Sequence, residues 1–417
     1  MPKLSLKNEI VRNCTTLLSG TAVAQCITFL AYPFIARLYS SEDFGLYTTI
    51  LSYIDILVIL STARYEQAIM VSKDPKEIAA IVKLCRRLCL GTTVLIAIAA
   101  CAILALNKAS KLDILILFIP LLVFFNGQYR IYLLLFNKYK EFKQIAFSDI
   151  STNLSGTVVK IALGLVGLFR TGLPIATVIG RIVGNINYHL RMQKIALPQP
   201  DKGTITAMIK KHRNFPLYSM PKDFINSFSA NLPFTLLAIY FNEAYIGLFA
   251  MAFTFTFRPM NLINSAYERV LYERISSKHL NHEPIVKDIV RFFGYNYAVL
   301  TPLFVIAFVF ARPILTFILG AEWAEAATYF RYMLPWIYTM LISSSISFIP
   351  NIFSTQRTEA IMYIALFVVR LAVLGLGIYA NSFELSILLF CSTGTLFSII
   401  LTIWYFRLVA TYDNQIQ

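Results

Sequence analysis

Apolar residues along the chain fall into runs of about 20, separated by short polar segments, which is the spacing of membrane-spanning helices. Twelve such runs are predicted, at 14–37, 46–70, 88–106, 112–136, 145–168, 172–192, 215–241, 246–268, 292–311, 326–350, 361–380 and 384–407. The segment 38–70 carries a short acidic turn (Ser40 to Gly45), one span and then Arg64-Tyr65-Glu66, and it returns at 240–272. Gly45-Leu46 aligns with Gly247-Leu248 and Tyr65-Glu66 with Tyr267-Glu268, both at an offset of 202 residues. Tyr39 and Glu42 match Tyr240 and Glu243 at an offset of 201. A repeat of this length predicts two half-chains: a first lobe over 1–192, a cytoplasmic linker over 193–214 and a second lobe over 215–417.

Composition sharpens the class. Hydrophobic residues make up 57% of the 417 and charged residues 14%, against roughly 25% charged in soluble domains. The expectation is an all-α polytopic membrane protein of two pseudo-symmetric six-helix lobes. The N-terminus is polar and basic with no small-residue cleavage site, so the first run reads as an uncleaved span. The six cysteines have no framework spacing, which speaks against structural disulfides.

Charge then orients the chain. Of the 37 Lys and Arg, 24 fall in the N-terminal segment, alternate loops and the tail. The opposite loops hold four, Lys108, Lys111, Arg170 and Arg312. The positive-inside rule places both termini in the cytoplasm, and the +15 formal charge needs no nucleic-acid partner. Nine cations remain within spans: Arg37, Arg64, Arg130, Lys160, Arg181, Lys222, Arg258, Arg331 and Arg370. Five acids accompany them: Asp55, Glu66, Asp149, Asp223 and Glu268. Each charge costs about 2.5–3.5 kcal/mol at a helix centre. Four uncompensated cations facing lipid would cost roughly 10–14 kcal/mol, so a hydrated cavity or an anion is expected.

Helical spacing collects the polar residues into stripes. These are Thr254/Arg258/Asn261/Ser265/Glu268, Ser219/Lys222/Asn226/Ser229/Pro233, Asp149/Asn153/Gly156/Lys160, and Arg181/Gly184/Asn185/Tyr188. They predict a cationic, amide-rich lumen of Arg258, Arg181, Lys222, Arg370, Lys160, Arg130, Asn226 and Asn261, suited to phosphate and sugar. Span-end Arg37 and Arg331 also fit snorkelling to headgroups. Arg64 with Glu66, and Lys222 with Asp223, also fit structural pairing. Pro33, Pro120, Pro233, Pro259, Pro302, Pro335 and Pro350 lie in spans or at their margins and fit helix kinks.

No HExxH, P-loop, CxxC or GxSxG pattern occurs, so hydrolytic and nucleotide-driven chemistry lack their usual parts. No loop is long enough for a soluble domain, which points to a carrier rather than an enzyme.

The segments RLYSSEDFGLY, ARYEQAIMVSKDPKE, FPLYSMPKDFINSFSANLP and GAEWAEAATYFRYMLPW resemble the O-antigen and polysaccharide flippases of the multidrug/oligosaccharidyl-lipid/polysaccharide exporter superfamily. The resemblance runs from Leu17 to about Trp404 over dispersed weak motifs. It implies a twelve-helix, two-lobed fold like that of multidrug and toxic compound extrusion (MATE) transporters. It also implies movement of undecaprenyl-pyrophosphate-linked oligosaccharide from the cytoplasmic to the periplasmic leaflet of the bacterial inner membrane. The related lipid II flippases usually carry two more spans than this chain. The expected partners are the lipid-linked oligosaccharide, membrane lipids and other polysaccharide-assembly proteins. No cofactor is expected beyond H⁺ or Na⁺ coupling, for which Asp55 and Asp149 are the candidate acids. Arg64, Glu66, Glu268 and Arg269 are the candidate cytoplasmic gate. The alternatives are an ion-coupled drug antiporter on the same fold and a membrane glycan polymerase or ligase. Excess intramembrane cations oppose the first, and the absence of a large outer loop opposes the second.

Overall fold

A computed structural model describes residues 25–106, 113–192, 195, 197–353 and 355–416. The described chain is helical, with no strand. In order the helices are α1 (25–38), α2 (Ser41–Ser61), α3 (Ala68–Val71), α4 (Pro75–Ala105), α5 (Phe118–Lys138), α6 (Phe142–Leu165), α7 (Phe169–Met192), α8 (Lys202–Lys211), α9 (Met220–Tyr240), α10 (Glu243–Leu280), α11 (Val286–Val309), α12 (Ala311–Leu319), α13 (Ala326–Ser345), α14 (Ile349–Ile352), α15 (Gln356–Tyr379) and α16 (Phe383–Ile416).

Among the described residues, eight helical segments are long and apolar enough to cross a membrane, those of α2, α4, α5, α10, α11, α13, α15 and α16. Helices α6, α7 and α9 occupy three further predicted spans at 24, 24 and 21 residues, and these carry three of the four polar stripes. The start of the first predicted span, with Lys108 and Lys111, lies outside the described residues.

Several helices outrun their predicted spans. Residues 75–87, read above as a basic loop, form the first turns of α4, with Asp74 accepting from the Lys76 N–H at 2.9 Å as N-cap. Buried Ile78, Ala80, Ile81, Leu84 and Cys85 give that extension one apolar face, so cations and a packed core share one helix. Helix α10 runs to Leu280, twelve residues beyond the predicted end and about 18 Å further.

The chain forms two compact units, Met1–Thr235 and Leu236–Gln417. The segment 193–214, predicted as a linker, contributes α8 to the first unit, where it packs on α4. In the second unit, Asp413 near the end of α16 accepts from the Ile285 and Val286 N–H groups at 2.8 and 2.9 Å. It thereby caps α11, whose own N-cap residue supplies no side-chain bond.

Within a bilayer, helices gain little from hydrophobicity and pack where small residues allow close approach. In the first unit α6 and α7 meet at Gly156 and Gly180 and at Thr152 and Gly184. A Cβ on Gly180 would lie 2.7 Å from the Thr152 carbonyl oxygen, whereas one on Gly91 of α4 would meet nothing within 4 Å. Gly180→Val should therefore lower the unfolding midpoint in detergent, by about 1–3 kcal/mol of overpacking, and Gly91→Val should leave it unchanged. Equal midpoints for the two variants would contradict this packing account.

Candidate functional site

The first unit gathers most of the intramembrane charge around a break after α2. The helix ends at Ser61, and Ala63 and Arg64 take left-handed backbone, at φ 48° and 62°. Neither is glycine, so the turn stores strain of order 1–3 kcal/mol per residue. Side chains from the same turn hold it. Buried Glu66, 1% exposed, accepts from the Thr62 hydroxyl and, at 3.3 Å, from Arg64 Nη1. Arg64 Nε also lies 2.8 Å from Asp223 Oδ2 on α9. Its N–H does not point along that approach, so the contact is an ion pair rather than a hydrogen bond.

Arg130 on α5 lies in the field of Arg64, Glu66, Asp55 and Arg181. Its Nη1 is buried without an acceptor among the described residues. Arg181 on α7 rests over the Tyr129 ring, with Cζ 4.7 Å from the centroid, and the Tyr129 hydroxyl donates to Asp149 on α6. Asp55 is exposed and lies in the field of Arg130 and Arg181. Lys160 donates to the Tyr47 hydroxyl at 3.2 Å. Thus Arg64, Arg130, Lys160 and Arg181 share the first unit with Asp55, Glu66, Asp149 and Asp223. With Arg37 and Lys222 the unit holds six intramembrane cations against four acids, so a cationic excess remains there.

On α9, Lys222 and Asn226 are exposed, while Ser229 and Pro233 of the same stripe are buried. Asp223, paired above with its neighbour Lys222, contacts Arg64 instead. In the second unit α10 presents Arg258, Asn261, Ser265 and Glu268 on one exposed face, as the spacing predicts. The Arg269 side chain lies outside the described residues.

The two repeat copies differ. Tyr65-Glu66 lies in a tight turn after a broken helix, whereas Tyr267-Glu268 lies inside continuous α10. There the Tyr267 hydroxyl donates to the Asn296 side chain.

Arg370 stands apart from the exposed stripe. It is 8% exposed on α15, with its guanidinium 4.6 Å from the Phe390 centroid and 5.2 Å from that of Trp336. Gly394 lets the Trp336 indole approach, since any Cβ there would fall 2.5 Å from the ring. Cation–π contact of a desolvated guanidinium contributes about 2 kcal/mol, so Arg370 is integral to the packing of its unit. Arg331 donates to the Phe308 and Val309 carbonyls at 3.0 and 3.3 Å, capping the end of α11. Among the described residues no group of three or more His, Cys, Asp or Glu is placed to hold a metal ion.

Sequence reasoning passed over Tyr47, Thr62 and Tyr129, because an apolar stripe absorbs a tyrosine without remark. The signal available for Tyr129 was its position beside intramembrane Arg130.

A sequence model described as "polysaccharide biosynthesis protein" matches residues 34–328. The chain belongs to that family. Every proposed lumen residue except Arg370 falls within the matched region. No curated protein sequence matches the chain. In structure the chain is similar to the lipid II flippase MurJ in an inward closed conformation, with a TM-score of 0.69 at 12% identity, covering 97% of this chain and 90% of that one. It is also similar to an inward-facing multidrug resistance MATE family transporter of the MOP superfamily, with a TM-score of 0.64 at 12% identity over 94% and 96% of the two chains. The MATE transporter VcmN of Vibrio cholerae gives 0.58 at 13% identity, covering 98% of each chain. These likenesses establish the fold expected above for an all-helical, multi-pass membrane protein.

Removing the Glu66 charge leaves Arg64 with Asp223 alone and takes an acid from the field of Arg130. Glu66→Gln should cost about 3–5 kcal/mol, as expected for breaking a buried pair from one side. The double variant Arg64→Gln/Glu66→Gln should recover part of that loss in a thermal-unfolding double-mutant cycle. Strictly additive effects would show that the two charges are uncoupled.

Proposed function

We propose that the protein is a flippase that carries an undecaprenyl-pyrophosphate-linked oligosaccharide across the bacterial inner membrane, from the cytoplasmic to the periplasmic leaflet. The observation that carries this reading is the placement of the intramembrane cations within a family of polysaccharide biosynthesis proteins. Lys222 and Arg258 are exposed on their helices, and Arg130 keeps an unpartnered guanidinium N–H beside Arg181. Guanidinium and ammonium groups in a low-dielectric setting bind a diphosphate strongly. The amides of Asn226 and Asn261, one residue-turn away on the same faces, suit sugar hydroxyls.

The transport cycle would expose these cations to one leaflet and then the other, as secondary transporters do. Both termini are cytoplasmic in this reading, following the loop charges. The protein acts as a carrier and not as an enzyme, and its lipid partner is its substrate. Asp55 and Asp149 are the acids through which H⁺ or Na⁺ coupling would operate. Arg64 with Glu66 forms the first half of the cytoplasmic gate, and Glu268 with Arg269 the second. Other assembly proteins would supply and receive the glycan.

A drug antiporter on the same fold would need acids free to meet an organic cation. Asp55 instead lies in the field of Arg130 and Arg181, and Asp149 accepts from the Tyr129 hydroxyl, which favours the anionic substrate. Arg181→Gln or Arg258→Gln should abolish delivery of glycan to the cell surface while protein levels stay normal, as read by surface-glycan blotting. Unchanged delivery in both single variants and in the double variant would overturn the site assignment.

A further inference from the structure

A cavity of about 420 Å³ opens in the first unit where α5 and α7 end and α6 begins, and none of the charged residues described above lines it. Its walls combine two buried apolar side chains, Phe136 and Ile195, with exposed Glu141, Lys143 and Arg191 and half-exposed Gln144. Glu141 and Lys143 lie at the first turn of α6, and Arg191 lies in the last turn of α7. Among the described residues none of these three charges forms an ion pair or side-chain hydrogen bond. Gln144 is fixed by donating to the Asn187 carbonyl at 3.1 Å. The polar rim is therefore anchored to α7, and its three charges remain unengaged.

Phe147 completes the lining, one turn from Lys143, and is 57% exposed. It begins an exposed apolar line along α6, continued by Leu154 and Val158 at helical spacing. Exposed Ile186 and Leu190 form the matching line on α7. Asn187 donates to Ser151 across the pair, so the two lines leave the cavity side by side. A charged recess at the end of a span, continuous with two lipid-facing lines, has the layout of an amphipathic ligand with a polar head and apolar chains.

We propose that this cavity is a phospholipid headgroup site that selects a phosphate carrying a primary amine, as in phosphatidylethanolamine. Lys143 and Arg191 take the phosphate oxygens, Arg191 through its planar fork. Glu141 takes the ammonium, which supplies three donors. The acyl chains follow Phe147, Leu154 and Leu190. The acid decides the choice of headgroup. A glycerol headgroup would leave Glu141 facing phosphate with no cation, and choline offers no N–H to it. The inference rests on the membrane-spanning fold and not on the proposed transport activity.

Native mass spectrometry of the full chain in detergent tests this, with phosphatidylethanolamine, phosphatidylcholine and phosphatidylglycerol of one acyl composition added at equal concentration. Wild type should retain phosphatidylethanolamine several-fold over the other two. Glu141→Gln should remove that preference, and Lys143→Gln/Arg191→Gln should reduce all three lipids several-fold. Phe147→Ser should weaken all three without changing their order. Unfolding midpoints measured without added lipid should be the same for every variant, since these side chains hold no contact that the fold requires. Excess O-phosphoethanolamine, which shares the headgroup without the chains, should displace little lipid. Equal retention of the three lipids by wild type, or a preference that survives Glu141→Gln, would overturn the proposal. Binding of O-phosphoethanolamine as tight as that of the lipid would overturn the lipid assignment in favour of a soluble phosphoamine.

Discussion

Charge in a membrane-spanning segment is the constraint on which this structure depends. An Arg or Lys at a span centre costs about 2.5–3.5 kcal/mol unless an acid, an aromatic face or water receives it. The chain receives three of its cations by three different local devices. Glu66 receives Arg64 inside a turn, Tyr129 carries Arg181 on its face and Asp149 on its hydroxyl, and Trp336 with Phe390 encloses Arg370. Lys222 and Arg258 are exposed on α9 and α10.

The turn at Ala63-Arg64 illustrates how such a device shapes the backbone. Two non-glycine residues adopt positive φ, and nothing in their own chemistry favours that conformation. Continuing α2 through this point would carry Arg64 and Glu66 onward along the helix, as α10 does with Tyr267 and Glu268. Breaking it turns Glu66 inward, where it can balance Arg64 and act on Arg130. The strain is thus offset by the electrostatics of Arg64, Glu66 and Arg130. The duplicated halves share a sequence pattern and yet differ at this point, because only the first copy needs the acid buried.

Much of the architecture was legible in the amino-acid order. Run length predicted the spanning helices, and the described long helices cover the expected spans while several extend past them. Period analysis placed Arg258, Asn261, Ser265 and Glu268 on one face of α10. Pairing was less legible, because it depends on which helices adjoin. Lys222 and Asp223 are neighbours in sequence but project differently from α9, and Asp223 reaches Arg64 far away in the chain. Arg370 looked like the other central cations, and only Trp336 and Phe390, brought in by close packing at Gly394, distinguish it. Helix extensions beyond the spans were also hidden, since a basic stretch such as 75–87 reads as a loop until its buried face is seen. The excess of intramembrane cations counted along the sequence is shared by the two units, six cations with four acids in the first and three with one in the second.

The proposed function turns on recognition of the diphosphate of a lipid-linked glycan by membrane-embedded cations. The most direct measurement is translocation by the purified chain in proteoliposomes, with two substrates bearing the same glycan on a prenyl chain. One carries the diphosphate linkage, and the other an uncharged linkage of similar length. The account predicts transfer between leaflets for the diphosphate substrate alone. Equal transfer of the uncharged analogue would contradict it.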